Sequence, residues 1–309
     1  MLGLTTTPLR ASLAGLLLLG LTAGCGPVEM VDAPVLPPSP EPAPAPAPDE
    51  TPEAVVPAEL PTLPVHFVRS GPVAFYVEPV AVDATSVLAG SDPSALSAEA
   101  LATALFTLQL GARPSDPDLA TSVPPGVALR GTSITGSVLT VDVDGALATT
   151  SGSSSQESTL AEQLAHTASL VPGVESVVLT IDGAPVTELW GHLDWSAPIV
   201  ADPFALSPIT IVTPPHGATL AAGTVVVSGL ATVFEATLLV RLLDADGTLV
   251  PIEPGFVTAS EGGPGRGDWT WELELGPGTW TIEAEAPDLS DGEGPPPFVT
   301  RRTLTVVAG

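Results

Sequence analysis

Between Gly26 and Pro64 the chain is expected to build neither a helix nor a sheet. Residues Pro38 to Pro48 read Pro-Ser-Pro-Glu-Pro-Ala-Pro-Ala-Pro-Ala-Pro, and the whole stretch has scattered acids and neither Lys nor Arg. Proline at every second position fixes φ and removes backbone donors, so the segment is a polyproline-like spacer. At ~3.1 Å per residue, a fully extended spacer of this length would span on the order of 100 Å. This stretch divides the chain into a short leader before it and folded material after it. The expected organisation is 1–24 leader, 25–64 Pro-rich acidic linker, 65–198 first domain and 199–309 second domain.

The leader has three parts. Met1 to Arg10 carries a single positive charge, Ala11 to Leu21 is apolar, and Thr22-Ala23-Gly24 are small. Cys25 follows at once and is the only cysteine in the chain. The apolar run is shorter than the ~20 residues that a membrane span requires. Leu21-Thr-Ala-Gly-Cys25 resembles the lipobox of bacterial lipoproteins, although Thr22 stands where Leu is commoner. The resemblance implies cleavage between Gly24 and Cys25 and a lipid on Cys25. The expected localisation is therefore extracytoplasmic, with the protein held on the membrane by that lipid.

Composition limits what the folded part can do. Eight Lys+Arg face 35 Asp+Glu, for a formal charge of −27, and there is no lysine at all. Such a chain is repelled by nucleic acid, so no nucleic-acid partner is expected. A phosphate loop of the Gly-Lys-Ser/Thr type is excluded. With one cysteine, no intrachain disulfide forms, and each domain must be held by its own core.

Residues 65–198 alternate between strand and helix patterns. Val73 to Val82 reads as a strand, with Pro79 marking an edge or a bulge. Ser97 is placed to cap a helix from Ala98 to Leu110 that Gly111 ends, with Leu101, Leu105 and Leu108 on one face. Val127 to Ile134 and Val138 to Val143 form a hairpin turned near Gly136. Ser151 to Ser155 reads as a flexible loop. A second helix is expected from about Ser158 to Val171, with Thr159 and Glu162 at capping-box spacing. Val177 to Ile181 is the last strand, closed by the Asp182-Gly183 turn. The order β-α-β-β-α-β predicts an α+β sandwich, with helices on one face of a short sheet. Helix Ala98 to Leu110, Val123-Pro-Pro-Gly-Val127, Leu139-Thr-Val-Asp-Val143, Leu164 to Val174 and Ile181-Asp-Gly-Ala-Pro185 together resemble the GerMN domain of spore-germination proteins. Gly111-Ala-Arg-Pro114 departs from that family's usual Gly-Pro after the first helix.

Residues 199–309 read as all β. Trp269, Trp271, Leu273 and Leu275 alternate with Asp268, Thr270, Glu272 and Glu274. Trp280, Ile282, Ala284 and Ala286 alternate with Thr281, Glu283 and Glu285, which places acids on the wet face. The same alternation is read from Phe234 to Leu242, and Asp244-Ala-Asp-Gly247 is a hairpin turn signal. About seven short strands predict an immunoglobulin-like sandwich. Ile209-Thr-Ile-Val-Thr-Pro214, Val227-Ser-Gly-Leu-Ala231, Phe234-Glu235, Leu243 to Gly247 and the segment from Trp269 resemble the Gmad2 domain. That domain is an immunoglobulin-like module found with spore-germination domains.

The candidate chemistry is sparse. His66 is assigned to the linker junction, His166 to the second helix, His192 to the interdomain segment and His216 to a turn. None stands at metal-ligand spacing, so no metal and no cofactor are expected. Asp142-Val-Asp-Gly145 and Asp244-Ala-Asp-Gly247 lack the later ligands of a calcium loop and read as turns. No nucleophile elbow is present, and no catalytic residue is assigned. Trp269, Trp271 and Trp280 share the parity of core residues. Trp190 and Trp195 are the candidates for an exposed contact, or for packing the two domains together. The family resemblances imply a non-enzymatic envelope protein acting through protein–protein contacts, with envelope proteins as partners. A peptidoglycan or wall-glycan binding module and an accessory to a membrane sensor are the alternatives.

Overall fold

A computed structural model describes residues 60–287, 293–294 and 296–309. Gly24, Cys25, the leader and nearly all of the Pro-rich linker lie outside the described residues. From Leu60 onward the described chain belongs to one compact unit.

Strand β1 (Thr62–Ser70) pairs antiparallel with β2 (Phe75–Asp83) over its whole length, from Thr62↔Asp83 to Ser70↔Phe75. The sequence pattern does not reveal β1, whose first residues Thr62 to Pro64 fall within the expected linker, because Val65 to Val68 are buried one after another, with Leu63 before them. A strand covered on both faces has no period of two. The hairpin turn takes residues 71–74, so β2 starts two residues later than its apolar run suggests. Pro79 does lie on an edge strand, since the sheet order is β2-β1-β3 with β3 at Leu119–Ala120.

A short helix α1 (Thr85–Leu88) leads to α2 (Ala98–Gly111). Ser97 caps α2 as expected, its hydroxyl accepting from the Ala100 N–H at 3.2 Å. Strands β4 (Leu129–Thr135) and β5 (Val138–Val143) form the expected hairpin, with Gly136 at φ +62°. Helix α3 (Ser154–Ala168) then carries the chain to β6 (Ser176–Ile181), which lies parallel to β5. Asp182 and Gly183, both at positive φ, turn β6 into β7 (Ala184–Pro185).

Two expectations for this domain need correction. Helix α3 begins four residues earlier than its apolar stripe, inside the serine run. Ser153 is its cap, accepting from Gln156 N at 3.2 Å, and Thr159 instead bonds back to Ser155 O at 2.8 Å. The first turn is polar, so hydrophobic periodicity could not register it. The strands also form two sheets, β2-β1-β3 and β4-β5-β6-β7, and both helices touch both sheets. The α+β class and the order β-α-β-β-α-β stand as β2-α2-β4-β5-α3-β6, with β1, β3 and β7 added. Phe67, Phe106, Leu105, Leu139, Leu160 and Leu164 are fully buried among these elements.

The second domain contains β8 (Ile209–Thr213), β9 (Thr219–Ala221), β10 (Gly223–Ala231), β11 (Thr237–Leu243), β12 (Leu249–Val250), β13 (Phe256–Thr258), β14 (Gly267–Leu275), β15 (Gly278–Glu285) and β16 (Val299–Val307). One sheet has the order β14-β10-β8, and the other β12-β11-β15-β16-β9 with β13 beside β11. Trp269, Trp271, Leu273 and Leu275 point into the core between the sheets, facing Leu238, Ile282 and Leu304. Asp244 makes the expected hairpin turn, its Oδ1 accepting from Asp246 N and Thr248 N.

The alternation read from Phe234 to Leu242 holds from Leu238 onward, with Leu238, Val240 and Leu242 buried, and fails at its start. Residues Phe234–Ala236 form a single turn, with Glu235 and Ala236 both at positive φ, and Phe234 is 59% exposed. Glu283 and Glu285 are not wet either. They are 8% and 9% exposed, because β15 is an interior strand flanked by Arg241 on β11 and Arg301 on β16.

Candidate functional site

The chemistry of this molecule is concentrated where its two domains meet. The connection from Val186 onward first returns to the first domain. Ile199 bridges Val177, and Trp195 N donates to Thr187 O at 3.1 Å. Leu206 then bridges Val77, and Ser207 N donates to Val77 O at 2.9 Å, so the connection closes the outer edge of β2.

Four buried charges cross this seam in a closed ring. Glu78 on β2, with no exposed surface, accepts from Arg69 Nε at 2.6 Å and from Arg302 Nη2. Asp116 accepts from Arg69 Nη2 at 3.2 Å and from Arg302 Nη1 at 2.7 Å. Arg69, Glu78 and Asp116 belong to the first domain, whereas Arg302 comes from β16, the last strand of the second. Two cations and two anions alternate, so the ring is neutral and each carboxylate touches both guanidiniums. Burial alone would lower the Arg69 pKa, but the carboxylates of Glu78 and Asp116 raise it above the ordinary arginine value. Such a ring adds little net stability over an apolar seam, yet it penalises any arrangement that separates its members.

The seam has further polar ties. Arg266 donates to Ser207 O at 2.8 Å and to Thr210 Oγ1 at 2.9 Å. Burial lowers its pKa, partly offset by Glu78. His216 Nδ1 lies 3.7 Å from Asp116 Oδ1. Tyr76 meets Phe298 edge-on at 5.3 Å, which places a first-domain ring against the second-domain core. The cavity left in the seam is about 80 Å³, lined by Pro79, Pro114, Asp116, Ile211 and Arg302 among others. Ligand sites are several times larger.

Two buried polar clusters stand behind the seam. His66 is not in a linker. It lies in β1, 4% exposed, with its backbone gripped by Gln109 and Gln163 and its Nδ1 3.2 Å from Thr167 Oγ1. His166 is also buried; its ring centroid is 5.4 Å from that of His66, and its Nε2 lies 2.9 Å from Asp202 O in the interdomain connection. Burial, then His166 and Arg266, push the His66 pKa down to about 3. Burial likewise lowers that of His166, against the opposing pull of Asp202. Among the described residues, no three His, Cys, Asp or Glu side chains converge as a metal-ligand set.

Glu157 on α3 is the second cluster. It is fully buried and accepts from Trp195 Nε1 at 2.8 Å, Trp190 N at 3.2 Å and His192 N at 2.9 Å. Burial would raise its pKa, but these three donors hold it below the usual carboxylate value. Trp195 is therefore not an exposed contact: it is 4% exposed and belongs to the first-domain core. Its indole N–H is consumed by a carboxylate from a distant helix, which sequence spacing does not show. Trp190 is half-buried against the same core, its ring so close over Gly152 that a Cβ there would come within 2.4 Å. Neither tryptophan belongs to the second-domain core, and of the two only Trp190 keeps exposed surface. The His192 and Asp194 side chains are exposed beside an open concavity of about 450 Å³, and Asp194 Oδ1 accepts from Ser196 N.

The two halves of this assembly match two family models. Residues 65–187 match the Germane family, described as sporulation and spore germination. Residues 208–293 match Gmad2, described as the immunoglobulin-like domain of bacterial spore germination. The chain carries a GerMN-type domain followed by a Gmad2 domain.

Both are germination-associated domains with no known catalytic activity. No curated protein shows significant similarity to the chain. Solved structures with similarity include a candidate lipoprotein from Clostridium perfringens, 17% identical over 45% of this chain and 86% of that one, with a TM-score of 0.31. The tandem GerMN domains of the sporulation protein GerM from Bacillus subtilis are 20% identical over 50% of each chain, with a TM-score of 0.34. CopC from Methylosinus trichosporium OB3b is 20% identical over 32% of this chain and 94% of that one, with a TM-score of 0.24. Among the described residues, no helix is long and apolar enough to cross a membrane.

The residues that tie the GerMN and Gmad2 domains together were missed in the sequence, although two left a trace. Arg302 stands at the buried parity of β16, in line with Thr300, Leu304 and Val306. Glu78 follows Val77 in a strand that is otherwise apolar along this stretch. A charge at a core position in an arginine-poor chain is a signal for a buried partner.

Proposed function

We propose that this chain is a lipid-anchored envelope protein that acts without catalysis, by presenting a rigid GerMN–Gmad2 body to other envelope proteins. The observation that carries this reading is the neutral ring Arg69–Glu78–Arg302–Asp116 at the domain seam. A buried ring of this kind disfavours relative movement of the domains, because hinge opening would expose or unpair four charges. A body without a hinge suits a protein whose work is to hold surfaces at fixed separation. Cys25, at the lipobox-like stretch, would tether that body through the Pro-rich spacer.

Crosslinking in cells followed by mass spectrometry, on wild type and Cys25→Ala, tests the proposal. The expected result is lipid labelling and membrane retention of the wild type only, with crosslinks from its GerMN or Gmad2 surface to other envelope proteins. Unchanged lipid labelling of Cys25→Ala overturns the anchor. A wild type with no protein crosslinks overturns the role.

A further inference from the structure

The Gmad2 sandwich has one long strand whose outer edge is open. β14 runs for nine residues and pairs only with β10, in unbroken register from Gly223↔Leu275 to Ala231↔Gly267. Its first residues are covered: Ser260 N donates to Asp268 O at 2.7 Å, and Asp268 N donates to Ser260 Oγ at 2.9 Å. These bonds fix the parity of the strand. The backbone groups of Asp268 point away from β10, so those of Glu272 and Glu274 do too. Among the described residues no strand pairs with them on that side, although β13 comes close to β14.

The side chains on this edge have a counterpart elsewhere in the same domain. On β15 the outward acids Glu283 and Glu285 are neutralised by strands on both flanks. Arg241 of β11 lies 2.6 Å from Glu285, and Arg301 of β16 pairs with Glu283. On β14 the outward acids Glu272 and Glu274 are exposed and, among the described residues, have no ion pair; the paired strand β10 sets Thr224, whose hydroxyl bonds Glu274, and Val226 opposite them. The arginine-bearing strand that accompanies such a ladder in β15 is missing from the open side of β14.

We infer that the β14 edge is a docking site for an extended, cationic segment of a partner protein. The segment would add as a strand, with its backbone on the open groups of Glu272 and Glu274 and Arg or Lys at alternate positions against their carboxylates. A second copy of this chain is the wrong occupant, because β14 against β14 sets carboxylates opposite one another. The inference rests on the reading of the protein as an interaction module and specifies the partner's chemistry.

The test uses the purified full chain in detergent and three fluorescent nine-residue peptides, read by anisotropy. One alternates Val and Arg, the second Val and Glu, and the third Pro and Arg. The Val/Arg peptide is expected to bind at least tenfold more tightly than either of the others. Glu272→Arg with Glu274→Arg should reverse the preference toward Val/Glu. Glu272→Pro removes a donor that faces away from β10 and should weaken Val/Arg binding at least tenfold, whereas Glu272→Gln should weaken it only a few-fold. Equal binding of the Pro/Arg peptide would reduce the effect to bulk charge and overturn the inference, as would unchanged binding by Glu272→Pro. The Gln variant keeps the test valid if the Pro variant does not fold. Crosslinks in cells that persist and map away from β14 would leave the interaction role standing while this edge fails.

Discussion

Replacing Arg302 by Leu should separate the two domains thermodynamically. The guanidinium is 4% exposed and serves both Glu78 and Asp116. Without it the ring holds one cation and two anions, so a net negative charge remains buried with Arg69 shared between two carboxylates. Removing one member of a buried ionic set costs about 3–5 kcal/mol. For a folded region of this size that corresponds to a fall in Tm of roughly 6–20 °C. Arg301, the next residue, supplies the control. Its side chain is 52% exposed and pairs with Glu283 across the sheet, so Arg301→Leu should cost at most about 1 kcal/mol. Arg302→Leu with Asp116→Asn restores the charge balance and should be more stable than Arg302→Leu alone. The assay is differential scanning calorimetry at neutral pH, where the single wild-type transition should split into two in Arg302→Leu. If Arg302→Leu melts within a degree or two of Arg301→Leu, or if the Asp116→Asn partner gives no recovery, the seam is not held in the way described.

Three other outcomes follow from the same structure. His66 is held neutral in the fold, with its pKa depressed to about 3, so its contribution is complete above pH 6.5 and is lost as pH falls toward 3. At pH 4.5 the loss is about 2–3 kcal/mol relative to neutral pH, visible as a steeper acid decline in urea-melt stability for wild type than for His66→Gln. Gly229→Ala should prevent folding or cost more than about 4 kcal/mol, because its Cβ would lie 1.8 Å from the Thr210 carbonyl oxygen and 2.9 Å from the Trp269 ring; soluble yield and thermal melts report it. Trp195→Phe deletes the 2.8 Å donor to buried Glu157 while keeping an aromatic ring, and should cost about 1–3 kcal/mol by chemical denaturation, with no change in secondary structure by circular dichroism.

Much of the fold was legible because local chemistry carries it. Ser97 caps α2, Gly136 and Asp182-Gly183 turn their hairpins, and the period of two along β14 sends its tryptophans inward. What failed was local in a different sense. β1 is buried on both faces and has no period, and the first turn of α3, Ser154 to Glu157, is entirely polar. The acids of β15 obey the alternation but are covered by arginines that arrive from other strands. Of the sites, Trp190 and Trp195 were chosen because the segment around them looked like a connection. The structure folds that segment back onto Glu157, a residue 38 positions before Trp195.

Sequence alone carried most of the elements, the lack of an intrachain disulfide and the α+β then all-β order. These follow from φ restriction, side-chain period and turn chemistry, which act over a few residues. Tertiary structure alone decided which charges meet. Arg302 is 224 residues from Glu78 and 186 from Asp116, and His66 is 100 before His166. No spacing rule links residues so far apart; the packing of β16 against the GerMN domain brings Arg302 to within hydrogen-bond reach of Glu78 and Asp116, and the packing of α3 on β1 sets His166 beside His66. Strand pairing within the Gmad2 sheet sets arginines on both flanks of β15 and, among the described residues, leaves the acids of β14 without one.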